Sequence, residues 1–294
     1  MTTTASVPER ADDERTLEQL RAQLHRMWGA VAGGWEEHAA YADARGAEVT
    51  KVMLELAKPA AGERVLELAC SAGGVGLAAA RLVGPTGEVV LSDVAPEMTA
   101  IARRRADAFG LLNVRTRDLD LERIDEPDSS YDVVLCREGL MLVPDPTRAA
   151  REIHRVLRPG GRAAIAVWGP REQNPWLGIV FDAVSAQTGM PVPPPGVPGP
   201  FSLDDAARLA GVLEAGGLEA VEVTEVEAST HAASFDEHWE RTVALAGPMA
   251  NVLKALPEPV SEAIRAGARE RARAYETASG VEIPGVTLLA AARR

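Results

Sequence analysis

An acidic side chain near the end of an apolar strand, followed by a run of small residues, is an arrangement suited to holding a nucleotide. Here it is VLELACSAGGVG at 65–76, with Glu67 on the strand, then Ala69, Ser71, Gly73, Gly74 and Gly76, running into the helical stretch LAAARLV. Small residues let a ligand approach the backbone at the carboxyl end of a strand, where open α/β sheets bind their ligands. Asp93 closes the next apolar segment, GEVVLSD at 87–93, about 20 residues after the loop, where a carboxylate can accept hydrogen bonds from both ribose hydroxyls. Taken alone, the glycines could equally make a tight strand-to-helix turn. Gly74, Gly76 and Ala79 also fit the G-x-G-x-x-A spacing of NAD(P)-dependent oxidoreductases. That reading sets the glycines too deep in the loop, leaves Glu67 without a role and finds no Tyr-x-x-x-Lys hydride-transfer site in the chain.

Segments that read as strands and could carry these residues recur at 65–68, 87–93, 113–118, 131–136 and 161–168. Between most of them lie helical stretches, such as Met98 to Phe109 closed by Gly110, and Pro146 to Arg158 closed by a Pro-Gly-Gly turn. Strands alternating with helices imply βαβ crossovers and a parallel sheet covered on both faces, an α/β fold. Residues 1–14 are polar and aperiodic and read as a disordered tail. Residues 15–58 read as helices interrupted at Gly33-Gly34, and 59–170 as the nucleotide-binding core. Residues 171–294 complete the sheet with strands near 219–228 and 281–292 flanking a helical insertion at 235–275, all within one compact domain. The Pro-rich stretch PVPPPGVPGP at 191–200 excludes regular helix or central strand. Ser202 with Asp205, and Ser234 with Glu237, fit or approximate capping boxes that start two helices.

In this order, VLELACSAGG, SDVAPEM, RDLD, YDVVLCREGLMLVPDP and REIHRVLRPGGRAAIAVWG form a pattern far more specific than the glycines. The stretch from 65 to 168 resembles the class I S-adenosylmethionine-dependent methyltransferases, especially the menaquinone and ubiquinone C-methyltransferase-like small-molecule group. The resemblance implies a doubly wound, mostly parallel seven-stranded Rossmann-like sheet with an N-terminal helical lid. It also implies S-adenosylmethionine as cofactor and methyl transfer to the oxygen, carbon or nitrogen of a small molecule. Glu67 matches the acidic residue that orients the methionine end of the cofactor, above the loop backbone at Ala69, Ser71 and Gly73. Asp93 matches the ribose ligand, Val94 and Met98 the residues packing on adenine, and Asp118 with Leu119 the pair that reads the adenine edge. Cys136 and Arg137 end strand four, where backbone carbonyls commonly meet the cofactor's amino group. Ala69 and Ser71 replace two glycines usual in the loop. At negative φ this costs little, whereas left-handed backbone would strain each by ~1 kcal/mol or more.

Methyl transfer from a sulfonium is an in-line displacement, so positioning comes first and a base is needed only for a neutral hydroxyl or an acidic carbon. His38, in WEEHAAY, is the first base candidate because the family's N-terminal helices form a lid; otherwise it is a surface histidine beside Glu36 or Glu37. Glu138 follows strand four at the cleft mouth; otherwise it pairs with Arg137 or another arginine. Trp28, Trp35, Trp176 and Trp239 lie in the lid and insertion segments and line an aromatic pocket or pack as core. The arginines at 103–105 read as a solvated helix face. Cys70 and Cys136 fall at the carboxyl ends of neighbouring strands, as small apolar filler or a redox pair.

Composition bounds the partners. A net charge of -12 disfavours phosphodiester backbones, which need clustered Lys and Arg, so nucleic acid is not expected. The segment 1–20 has no basic stretch followed by an apolar one, and no window reaches the ~18 apolar residues of a membrane span, so no membrane insertion is expected. Two cysteines fit a reducing, cytoplasmic compartment, and five scattered histidines form no metal-ligand spacing. A homo-oligomer stays open, as does a cofactor-binding protein of this fold that transfers no methyl.

Overall fold

The computed structural model describes residues 7–194 and 197–294, with side chains from Glu18 onward except at 248, 251 and 254. Four helices come first: α1 (Val7–Gly29), α2 (Ala32–Glu37), α3 (Ala39–Arg45) and α4 (Ala47–Ala57). The core follows as β1 (Arg64–Leu68), α5 (Gly74–Val83), β2 (Glu88–Asp93), α6 (Pro96–Ala108), β3 (Val114–Asp118), β4 (Tyr131–Arg137), α7 (Pro146–Val156) and β5 (Leu157–Trp168). Then come α8 (Pro175–Thr188), α9 (Ala206–Ala215), β6 (Glu219–Glu227) and β7 (Thr230–Ala232). The chain continues through α10 (Phe235–Leu245), α11 (Pro248–Ala255), α12 (Glu258–Ala272), β8 (Glu276–Thr277), β9 (Gly280–Ile283) and β10 (Val286–Arg293).

The main sheet has seven strands in the order β3-β2-β1-β4-β5-β10-β6. The first five are parallel, and β10 runs antiparallel to both β5 and β6. This is the doubly wound, mostly parallel sheet expected from the alternating pattern. Strand β4, YDVVLCR, is buried along nearly its whole length, as a central strand covered on both faces must be. Edge strand β6, EAVEVTEVE, instead places glutamates along its exposed face, which discourages pairing with another chain. Because the chain leaves β1 toward β2 and leaves β4 toward β5, the loops after these neighbours diverge and open a crevice at their carboxyl ends. Among the described residues no helix is long and apolar enough to cross a membrane.

Three apolar clusters organise the molecule. The largest fills both faces of the sheet. A second joins α8, α10, α11 and α12 around Phe181, Phe235, Ile264 and Ile283. A third, with Val31, Ala72, Met98 and Ala250, ties α2 to the loop after β1, to α6 and to α11.

Several local expectations are corrected. Residues 7–14 are the first turns of α1, because nothing after Pro8 breaks the helix before Gly29; residues 1–6 of the expected tail lie outside the described residues. Gly33-Gly34 does not interrupt the helices but sits inside α2, where a Cβ on Gly34 would lie 2.6 Å from the Ala244 carbonyl of α10. Asp205, not Ser202, caps α9 by accepting from the Arg208 amide at 2.8 Å, while Ser202 Oγ accepts from the Gly199 amide. Ser234 caps α10 as expected, accepting from the Glu237 amide at 3.2 Å. The expected strand at 281–292 is two strands. Pro284 and Gly285 break it, so that β9 pairs with β7 and β8 in a separate small sheet and only β10 joins the main one.

Candidate active site

The crevice at the β1/β4 switch holds two carboxylates. Glu67 is 2% exposed, and its Oε2 accepts from the Gly76 amide at 2.8 Å. Burial pushes its carboxyl up to about 7, against the opposing pull of the Gly76 amide and the Arg137 charge. Gly76 is required at this spot, since a Cβ there would lie 2.1 Å from Leu91 Cδ2 and 2.5 Å from Glu67 Oε2. Asp93 accepts from the Ser71 amide at 2.9 Å and the Ala95 amide at 3.1 Å, and burial pushes it up to about 6. Each carboxylate thus keeps acceptor capacity unused by the protein.

The loop between them alternates in hand. Ala69 (φ 50°), Ser71 (φ 48°) and Gly73 (φ 82°) all adopt left-handed backbone. The strained alternative for the two glycine replacements is therefore the one realised, at ~1 kcal/mol or more each. Glu138, directly after β4, is also left-handed at φ 62°, so three non-glycine residues around one crevice hold a disfavoured conformation. Such clustering is a mark of functional loops.

A cavity of about 980 Å³ opens from this loop. Glu67, Ala69, Ser71, Asp93, Val94, Met98, Arg137 and Glu138 line it, together with Trp28, Trp35, Trp168 and Trp176. Its size lies at the upper limit of ligand pockets and suits two ligands side by side. Gly73, Asp118, Leu119, Cys136 and His38 are not on its wall. Asp118 is exposed and accepts from Thr99 Oγ1 at 2.6 Å, and the Leu119 amide donates to the Asp93 carbonyl at 2.9 Å. Cys136 is fully buried, and burial pushes its thiol up to about 12; Cys70 is buried and free as well. Both fit the filler reading better than a redox pair. His38 is a half-buried junction between α2 and α3. Trp239 stacks on Phe235 within the second cluster instead of lining the cavity.

Ion pairs fasten the N-terminal helices over the crevice. Arg21 of α1 forks onto buried Glu122 at 2.8 and 2.9 Å. Arg104 pairs with Glu36 of α2, and Arg105 with Asp43 of α3 and the Ala72 carbonyl. Arg103 and Arg104 are exposed, as the expected solvated face requires, and only Arg105 is largely covered. Arg137 is likewise a tether, donating to Thr50 Oγ1 at 2.8 Å and to the Gly46 carbonyl at 3.3 Å. Sequence reasoning missed Arg45, whose guanidinium pairs with Glu138 at 3.2 Å and lies 4.5 and 4.8 Å from the rings of Trp168 and Trp176. Trp168 had a signal: it ends β5 at the same edge of the sheet as Glu138.

A doubly wound sheet with buried carboxylates on β1 and at the end of β2, under a helical cover, is an architecture of the class I methyltransferase kind. Residues 65–161 match the family described as a methyltransferase domain. A ubiquinone/menaquinone biosynthesis C-methyltransferase UbiE of Azotobacter vinelandii is 38% identical over 167 residues, 56% of this chain and 57% of that protein. The Pseudomonas putida protein of the same name is 35% identical over 133 residues, 45% and 52% respectively. The chain spans little more than half the length of these curated relatives. Among solved structures, the YcgJ protein from Bacillus subtilis covers 83% of this chain and 97% of its own at 20% identity and a TM-score of 0.57. The 4+2 cyclase SpnF covers 84% and 80% at 23% identity and a TM-score of 0.51. These likenesses show the fold, and the second shows that the fold does not fix the reaction. Over residues 65–161 the chain thus matches a methyltransferase domain, on a fold that solved methyltransferases share.

Proposed function

We propose that the protein transfers a methyl group from S-adenosylmethionine to a small-molecule acceptor with a largely apolar body. The observation that carries this reading is the shared cavity, in which the carboxylates and small-residue loop of a cofactor site lie on the same wall as Trp28, Trp35, Trp168 and Trp176. The residues fit the cofactor: two buried carboxylates with spare lone pairs suit an ammonium and a ribose, and close packing at Gly76 keeps Glu67 beside the loop. Bound there, the cofactor supplies a methyl group on a positively charged sulfur.

The chain's own residues then hold and orient. Glu67 takes the methionine end and Asp93 the ribose, over the backbone of Ala69, Ser71 and Gly73. Val94 and Met98 pack on the adenine. In this reading Asp118 and Leu119 meet the adenine edge and Cys136 and Arg137 the amino group, although Asp118, Leu119 and Cys136 are not on the cavity wall. The helical cover excludes water from the sulfonium and keeps the nucleophile in line. Where the acceptor must lose a proton, Glu138 on the cavity wall is better placed than His38 to receive it. A cytoplasmic setting accords with two buried, free cysteines.

Calorimetry tests the assignment. Heat of binding is expected for S-adenosylmethionine and its demethylated product and none for NAD, and label from the cofactor methyl should appear in a product extracted from an acceptor panel. Binding of NAD alone overturns the class, and cofactor binding with no product across the panel points to a non-transferring protein of this fold.

A further inference from the structure

A residue of the cavity wall, Arg45, carries a donor without a partner just beneath the surface of the cavity. Arg45 ends α3 with its side chain 10% exposed, and Nη2 donates to Glu138 Oε2 at 3.2 Å. Its guanidinium lies against the tilted pair of Trp168 and Trp176, 4.5 and 4.8 Å from their ring centroids. Nη1 is buried and has no hydrogen-bond partner among the described residues. A buried N–H without an acceptor is costly, and native structures keep one where something else completes it. Among the described residues, Trp35 Nε1, of a residue on the same cavity wall, is the other buried side-chain atom of the lining without a partner, and it too is a donor. Glu138 is held in left-handed backbone and grips Arg45 from the far side of the crevice. The ion pair and the two ring contacts together hold the guanidinium at this wall.

We propose that Arg45 orients the methyl acceptor by donating from Nη1 to an uncharged oxygen of it, a specificity contact that rests on the cavity being the acceptor site of the proposed transferase. The oxygen is uncharged because Glu138 already balances the guanidinium, and because carboxylates outnumber guanidinium groups along the cavity. An anionic acceptor meets more repulsion than attraction there. Glu138 acts through Arg45 as its positioning partner, and Trp168 and Trp176 keep water from the donor.

The test uses three naphthalene derivatives of one shape: methyl naphthyl ketone, which offers a neutral oxygen, isopropenylnaphthalene, which offers none, and naphthoate, which offers a charge. Calorimetry is run on the full chain without cofactor. The ketone is expected to bind about tenfold tighter than the hydrocarbon, the lower end for a hydrogen bond to a charged donor, and tighter than naphthoate. In Arg45→Met the ketone should fall to the affinity of the hydrocarbon, whose own binding changes less than about twofold because the apolar wall is kept. Because Arg45→Met leaves Glu138 without its partner, the double variant Arg45→Met/Glu138→Leu removes the pair together and is expected to show the same loss of preference in a folded protein. Equal binding of ketone and hydrocarbon to the wild type, tighter binding of naphthoate, or a preference that survives in the double variant each overturn the proposal. A parallel titration with S-adenosylhomocysteine separates the two readings: a protein that ignores it refutes the transferase, whereas the probe series judges Arg45 without any cofactor present.

Discussion

Two walls of one cavity are built on different principles. The loop wall, from β1 to the start of α6, owes its shape to the backbone: left-handed residues at 69, 71 and 73, amides aimed at two buried carboxylates, and a glycine where no Cβ fits. The cover wall, from α1 to α3, α8, α10 and α11, owes its shape to side chains that meet from distant parts of the chain, as Arg45 meets Glu138 across 93 residues. The first stores its cost in disfavoured conformations and desolvated acids. The second is held by ion pairs at the helix surfaces and by aromatic contacts, interactions that can be broken and remade one at a time. Under the proposed function, a cofactor common to a whole class would be met by the rigid wall and a particular acceptor by the adaptable one.

The largest effect expected from this contrast lies in the desolvated acids. Glu67 is raised to about 7 from 4.5 and Asp93 to about 6 from 3.8. A carboxyl whose folded value is raised binds more protons folded than unfolded, so stability is greatest below the unfolded value and is lost as pH rises through the folded one. For Glu67 the window runs from about 4.5 to 7, with up to about 3 kcal/mol at stake. Denaturation of the ligand-free protein at several pH values should therefore show Glu67→Gln gaining on the wild type as pH rises from 5 to 8. Cofactor affinity of the wild type should rise over the same range, because a cationic ligand favours the ionised acid. A stability gap independent of pH would place Glu67 in water and erase the distinction between the walls.

A smaller effect tests the backbone strain. Replacing Ala69 or Ser71 with glycine relieves left-handed strain of about 1–2 kcal/mol and restores unfolded-chain freedom worth about 0.5–1 kcal/mol. Each variant should therefore be more stable by about 0.5–1 kcal/mol, and cofactor affinity should hold or improve. Equilibrium unfolding reads this directly. Destabilisation of both variants would mean that these residues are not left-handed when the protein is in solution.

The same contrast explains what could be read from the chain. Glu67, the small-residue loop and Asp93 were legible because each is a local pattern on one strand end, and strands alternating with helices dictate the sheet. The hand of the loop was not legible, since alanine and serine are residues that normally avoid it. Arg45 was invisible because nothing in AAYADAR says which helix end will face β4, and the role of Arg104 and Arg105 depended on where α2 and α3 settle. Trp239 shows the converse: an insertion tryptophan expected in either role proved to be core, while Trp168, in the sheet, reached the cavity. Motifs report backbone that one segment imposes on itself, and cavity walls report packing between segments.

The smallest expected effect concerns the base. His38 was the first candidate because it belongs to the cover, yet it sits at the junction of α2 and α3, half-buried and away from the cavity lining, whereas Glu138 lies on that lining. A base must come within hydrogen-bond reach of the proton it takes, or one water further. From its junction His38 reaches the cavity only if α2 and α3 shift, and these helices are fastened by Glu36–Arg104 and Asp43–Arg105. Once an acceptor is known, His38→Ala should therefore keep turnover within about twofold of wild type across pH 6 to 9, because a lost general base costs about a hundredfold or more. Glu138→Gln should lower turnover more than it lowers cofactor affinity, since it touches the cover wall and not the loop. A hundredfold loss in His38→Ala with cofactor binding intact would show that the cover closes further over the bound acceptor, making the adaptable wall the seat of the chemistry as well as of recognition.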